Sequence, residues 1–154
     1  MIPVHVGHIN LAPSFNGAGE HFVGLIESLQ KHAVRQYVLV RNVALAKRLD
    51  AVDGVTVGPV VRSAVSAYCL MPSVDIVHIH DESSQPAGLL FALTRSIPFV
   101  LTQEVSVSKT QNPIQKAAYR RAAGFVDEHT IGGAAHLSIY HCAIKSLRLP
   151  TLIL

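Results

Sequence analysis

Val74-Asp75-Ile76-Val77-His78-Ile79-His80-Asp81-Glu82 is an apolar strand that stops abruptly in two histidines and two carboxylates. In open α/β sheets, ligands bind outside the carboxyl ends of the strands, so polar, titratable residues gathered where a buried strand ends mark a working edge. Residues i and i+2 of a strand share a face, which puts the His78 and His80 imidazoles side by side. The fold and the candidate site are both read outward from this segment.

On either side of it, short β-rich runs alternate with longer stretches of helical periodicity, the pattern of a parallel sheet wrapped by helices on both faces. The runs Val4–Gly7, Tyr37–Val40, Val55–Val57, Ile76–Ile79 and Phe99–Thr102 are predicted strands, with weaker ones at Gly124–Val126 and Leu152–Leu154. Phe22, Val23, Leu25, Ile26 and Leu29 form an i, i+3, i+4, i+7 stripe between Gly19 and His32. Leu89, Leu90 and Leu93 do the same after Pro86, as do Ala117, Ala118, Arg121 and Ala122 after Pro113. Shorter helices are predicted from Arg41 to Asp50, ahead of the turn pair Asp53-Gly54, and from Ser63 to Met71, stopped by Pro72. The fold class is therefore α/β, a doubly wound, mostly parallel sheet flanked by helices. No internal repeat and no Gly-, Ser- or Pro-rich linker divides the chain, so residues 1–154 are expected to form one Rossmann-like domain.

Composition narrows the function classes. A chain of 154 residues buries roughly 68–70% of its unfolded surface and folds without a staple. Cys69 and Cys142 lack metal-ligand spacing and fit a reducing compartment. Although 49% of the residues are apolar, no uninterrupted run approaches the roughly 20 needed to span a bilayer. The opening Met1–Gly7 reads as a strand and not as a secretion signal. The expected location is the cytoplasm, either free or peripheral at the inner face of the membrane. Net charge is +3, with basic residues grouped at Lys109, Lys116, Arg120, Arg121, Lys145 and Arg148. These form either a solvated helix face or a surface for phosphate or anionic lipid. Aromatic residues are not interleaved with them, so nucleic acid is not an expected partner.

Three segments carry candidate chemistry. Ala12–His21 joins the first strand to the first helix, and its Gly17-Ala18-Gly19 lets backbone amides approach an anion at a helix N-terminus. A tight turn into a helix explains the same glycines. Phe22 stands where a dinucleotide fingerprint needs a third glycine, and no GxxxxGK[ST] pattern occurs, so neither a dehydrogenase nor a phosphate-loop NTPase is supported. The second segment, His78–Glu82, places one histidine inside the sheet and one at its rim, or pairs both with Asp81 or Glu82 around a metal, as in a metal-dependent hydrolase. His5 and His8 on the first strand are candidate neighbours. The third, Thr102–Lys109, follows the fifth strand. There Glu104 could serve as a general base, while Ser106, Ser108 and Lys109 hold an acceptor or phosphate. A solvated loop is the plain alternative.

In this order the segments resemble the N-terminal half of glycosyltransferase family 4 and similar GT-B enzymes. Asn16–Leu25 resembles the family's glycine-rich loop and helix, and Val38–Arg41 its second strand; Asp75–Asp81 resembles its Asp-x-Val-His-x-His segment, and Ile97–Thr102 the strand that follows. The likeness covers about residues 3 to 125. It implies two facing Rossmann-like domains, with the acceptor held mainly by the N-terminal one and the nucleotide sugar by a C-terminal one that this chain lacks. Gly17 and Gly19 would then lie near the donor diphosphate, and His80 and Asp81 on the acceptor side. Where the family often has a histidine after the fifth strand, this chain has Glu104.

The function expected from the sequence is acceptor binding within an enzyme that moves a sugar from a nucleotide sugar to a cell-envelope glycan, lipopolysaccharide included, or to a lipid-linked acceptor. The chain alone is expected to be inactive. Catalytic candidates are His80 and Glu104, and substrate-binding candidates are Asn16, Gly17, Gly19, Glu20, His21, Asp81, Ser106 and Lys109. Neither resident cofactor nor metal is expected, the nucleotide-diphosphate sugar being a substrate. Expected partners are the acceptor, a separate C-terminal GT-B domain or subunit, and a membrane surface touched peripherally. The alternative is a non-catalytic Rossmann-like domain that binds a phosphorylated small molecule or a protein.

Overall fold

The computed structural model describes residues 3–103, 113–122 and 124–127. Along the chain run β1 (Val4–Asn10), α1 (Gly17–Leu29), β2 (Val34–Val40), α2 (Val43–Asp50), β3 (Val55–Val57), α3 (Ala64–Leu70), β4 (Ile76–Ile79), α4 (Gln85–Thr94), β5 (Phe99–Gln103), α5 (Pro113–Arg121) and β6 (Gly124–Asp127). One 3-10 turn, Glu82–Ser84, links β4 to α4. Among the described residues the sheet has six strands in the order β3-β2-β1-β4-β5-β6, and every pairing is parallel. Strand order reverses between β1 and β4, so their carboxyl ends diverge into connections on opposite faces and leave a crevice between them.

Those connections divide the helices between the two faces. On one face Phe22, Val23 and Ile26 of α1 and Leu45 and Leu49 of α2, with Val52, pack with Val38 and Val40 of β2. On the other face Ile9, Leu39, Val77, Ile79, Phe99 and Leu101 meet Ala67 of α3, Ala87 and Phe91 of α4 and Ala118 of α5. The stripe read in α1 is the buried one: Phe22, Val23, Leu25, Ile26 and Leu29 all lie inside. Fully burying a side chain of this kind contributes about 1.5–3 kcal/mol, so the stripe fixes the helix on the sheet.

Element ends follow local chemistry. The Asn42 side chain accepts from Leu45 N at 3.0 Å and starts α2 two residues into the predicted segment. Ser63 and Ser66 form a reciprocal capping box that opens α3. Such caps contribute about 1 kcal/mol each. The strand predicted to end at Gly7 instead runs on through His8, Ile9 and Asn10, because β2 and β4 hydrogen-bond it on both sides and bury the polar pair. Gly17 and Gly19, expected in a loop, occupy the first turn of α1, which Asn16 precedes as N-cap in an extended conformation. The predicted strand Leu152–Leu154 lies outside the described residues.

Two glycines make opposite demands. A Cβ on Gly88 of α4 would stand 2.8 Å from Phe99 Cδ2 and 3.0 Å from Ile79 Cγ1, so α4 sits on the sheet only because that position is bare. Gly24, exposed in the middle of α1, has open space around it. Gly88→Val is therefore expected to destabilise the protein by about 1–3 kcal/mol. Gly24→Ala should stabilise it by about 0.5–1 kcal/mol through lost backbone entropy of the unfolded chain. Urea denaturation of both variants checks the pair, and equal effects would contradict the packing described.

His8 is wholly buried, and burial pushes its imidazole from 6.5 down to about 3, with a smaller opposing pull from the Gln36 side chain. The folded state holds the ring neutral while the unfolded chain takes a proton below its ordinary pKa. The stability this provides is complete above about pH 6.5 and falls as pH drops towards 3, by about 1.4 kcal/mol per pH unit. Chelator-treated wild-type protein denatured in urea between about pH 6 and pH 4 should show that slope, and His8→Gln should flatten it.

Candidate functional site

The carboxyl ends of β1 and β4 are tied directly together. His80 N donates to Ile9 O at 3.1 Å, extending the β1–β4 ladder by one step. Asp81 then spends its carboxylate on the junction: Oδ1 accepts from Leu11 N at 2.7 Å and from the Ser84 hydroxyl, and Oδ2 accepts from Ser83 N at 2.9 Å. Ser84 Oγ also reaches the Asp81 carbonyl at 3.0 Å. One side chain thus fixes where the chain leaves β1, where it turns after β4 and how α4 begins. Hydrogen bonds to a charged acceptor contribute about 1.5–3 kcal/mol each, so Asp81 is well able to hold the junction.

Beneath this junction, on the α1 face, three imidazoles meet. Sheet register sets His8 opposite His78, and the two-residue repeat of β4 adds His80 on the same face. His8 Nδ1 lies 3.3 Å from His80 Nε2, and His78 Nε2 lies 2.6 Å from Thr102 Oγ1 of β5. Ring centroids are 3.8 Å apart for His78 and His80 and 5.5 Å for His8 and His78. Phe22 of α1 covers the group, its ring 4.2 Å from that of His80. All three histidines are at most 1% exposed.

The open part of the site is the first turn of α1. The first N–H groups of a helix have no partner within it and carry the positive end of its dipole. The Asn16 side chain does not cap them here. Gly17 is exposed, and a Cβ there would meet nothing within 4 Å. Gly19 is buried, and a Cβ would collide with Phe15 Cδ2 and Cε2 at 2.3 and 2.8 Å. The two glycines differ in purpose: Gly19 lets Phe15 fold under the helix start, and Gly17 keeps the mouth open. Asn10, at the end of β1, holds the loop by accepting from Ala12 N at 3.0 Å.

The structure brings Asn16, Gly17, Gly19, His80 and Asp81 to one edge of the sheet. Asn16, Glu20 and His21 are exposed there. His80 is not at the rim, since Phe22 roofs it; a phenylalanine on the buried helical stripe, set over a strand histidine on the facing side, was the available signal. Asp81 is committed to backbone and serine partners and does not complete a metal set with His78 and His80; His8 stands in that place instead. His5 lies near the opposite end of β1, where its backbone N donates to Asp75 Oδ2 at 2.8 Å. Glu104, Ser106 and Lys109 lie outside the described residues, as does Cys142, while β5 ends at Gln103 on the expected edge. Sequence reasoning missed Arg41, exposed at the end of β2 with its N–H on Asn10 O at 3.0 Å, and Gln85, buried at the start of α4 with Oε1 unpartnered among the described residues. Among the described residues no helix is long and apolar enough to cross a membrane.

No protein-family model matches the sequence, and no curated protein matches it. Solved structures do match the fold. Anabaena Alr3699/HepE in complex with UDP superposes with a TM-score of 0.62 at 11% identity, over 79% of this chain and 37% of that one. The same protein in complex with UDP and glucose gives 0.61 at 12% identity over the same shares. The chain thus spans little more than a third of the length of the protein it resembles, and the likeness is one of fold.

Proposed function

We propose that the chain is the N-terminal, acceptor-side domain of a GT-B glycosyltransferase of the family 4 kind. In the two-domain enzyme a sugar would pass from a nucleotide diphosphate to a cell-envelope glycan or a lipid-linked acceptor. The observation that carries this reading is the opening at the β1–β4 switch point: an uncapped helix N-terminus with bare Gly17 at its mouth, in a fold shared with a protein solved with UDP and glucose. Backbone N–H groups and a helix dipole suit a diphosphate. Arg41, on the same edge, adds a full positive charge.

In this proposal Asn16, Gly17 and the N–H groups that follow face the donor phosphates, while Glu20 and His21 line the outer wall. His80 supports that wall from beneath Phe22, and Glu104, Ser106 and Lys109 are the acceptor-side candidates after β5. Transfer needs the phosphate charge neutralised and the acceptor hydroxyl oriented in one closed cleft, and this chain supplies one side of it. The burial of His80 also favours a second reading, a non-catalytic domain that binds a phosphorylated ligand at the same edge, since a histidine roofed by Phe22 is poorly placed to exchange protons with a substrate.

Titration of isotope-labelled protein with UDP should shift the amides of Gly17, Ala18 and Gly19. Gly17→Asp should weaken binding by at least about 10-fold, equivalent to about 1.4 kcal/mol of repulsion. It should leave the fold intact, because an acidic group suits a helix N-terminus. Absence of those shifts in the wild type would remove the donor edge from the proposal. The purified chain should turn over no UDP-sugar on glycan acceptors; turnover without a second domain would overturn the assignment as one half of a cleft. Shifts from inorganic diphosphate equal to those from UDP would favour the second reading.

A further inference from the structure

We propose that His8, His78 and His80 together bind one zinc-class divalent cation, which would pin β1 to β4 directly beneath the switch-point crevice. The proposal is independent of any transferase role. It begins with spacing: one ring nitrogen from each of the three lies within 4.8 Å of the others, and His8 Nδ1 to His80 Nε2 is 3.3 Å. Two imidazole nitrogens on one tetrahedral zinc, each about 2.0–2.1 Å from the metal, stand about 3.3–3.4 Å apart. That pair is already at ligand spacing, and the third nitrogen lies within 4.8 Å of both.

The scaffold that holds them is rigid. His8 and His78 are register partners on adjacent central strands, and His80 follows two residues on. None of the three can be moved without shifting the ladder. Their chemistry is also that of ligands. Zinc binds the neutral imidazole, and burial keeps His8 uncharged throughout the physiological range.

Outer partners point the same way. Metal-bound histidines characteristically donate their second ring N–H to a carbonyl or similar acceptor, which fixes tautomer and orientation. His8 Nε2 and Gln36 Oε1 are both buried and unpartnered among the described residues, although Gln36 is close enough to act on the His8 ring. Gln36 is itself held, its Nε2 donating to Ile26 O at 3.0 Å. With a cation on Nδ1, the His8 proton resides on Nε2, where the Gln36 carbonyl oxygen is the acceptor at hand. His78 has the equivalent support from Thr102 Oγ1. An all-nitrogen set without a carboxylate selects zinc and its neighbours nickel and copper over magnesium or calcium, which require oxygen ligands.

The test uses tag-free protein stripped with a chelator and then titrated with zinc. One equivalent should bind, with the melting temperature raised by several degrees. In the wild type, the imidazole ¹⁵N resonances of His8, His78 and His80 should shift, while those of exposed His21 stay in place. Loss of an outer partner costs about 10–100-fold in affinity, so His8→Gln, which removes a ligand, should weaken binding by at least that much, and His21→Gln should leave it unchanged. The wild-type resonances decide the matter even where the His8 variant fails to fold. No zinc uptake by folded protein, or uptake with ring shifts confined to other histidines, would overturn the proposal.

Discussion

The β1–β4 junction is the constraint on which the remaining architecture rests. In a doubly wound sheet the two halves of the chain meet at one strand pair, and here that pair is closed by His80 N on Ile9 O and by the Asp81 carboxylate on Leu11 N. Side chains that cap a single turn usually act within a few residues. Asp81 acts across 70. Because the same carboxylate also receives Ser83 N and the Ser84 hydroxyl, the exit from β1 and the start of α4 are positioned together, and the crevice between them takes its shape from one residue.

Polar residues in this core specify register as well as stability. A parallel strand buried on both faces usually reads as an unbroken apolar run, so one register differs little from the next. His8 opposite His78, with Thr102 on the next strand, breaks that degeneracy, because a one-residue slip would turn each imidazole toward the apolar face built from Ile9, Val77, Ile79 and Phe99. Burying unpaired polar groups there would cost roughly 1–3 kcal/mol apiece. The histidines therefore favour a single pairing of the central strands, whatever else they bind.

Much of the fold was legible because its signals are local. The strand Ile76–Ile79, the α1 stripe, the turn at Asp53-Gly54 and the stop at Pro72 each follow from periodicity or from a residue's own backbone preference. The site was legible only as a place. Parallel topology sends the segments after β1, β4 and β5 to one edge, which is why Gly17, His80 and the end of β5 were read together. What each residue does there depends on partners far away in sequence. No local pattern says that Gly19 is bare for Phe15 or that Asp81 is consumed by Leu11, and the α1 stripe shows that Phe22 is buried without saying that His80 lies beneath it. The true extent of β1 was hidden for the same reason: His8 and Asn10 look like a strand end until β2 and β4 bury them.

Magnitudes also bear on whether this edge could act alone. A helix N-terminus offers the equivalent of about half a positive charge, felt within its first turn. A nucleotide-diphosphate sugar brings about two negative charges, one on each phosphate, and transfer develops about one more on the leaving diphosphate. Arg41 is exposed, where water weakens its attraction to about 1 kcal/mol at contact distance. If a diphosphate binds there as proposed, the α1 mouth and Arg41 together orient it but leave most of its charge to solvent. Neutralising the remainder in a water-excluded space requires donors from a second surface facing this one. On the proposed transferase reading, these groups supply only part of the neutralisation that transfer in a dry site would need, which is why that reading calls for a second surface.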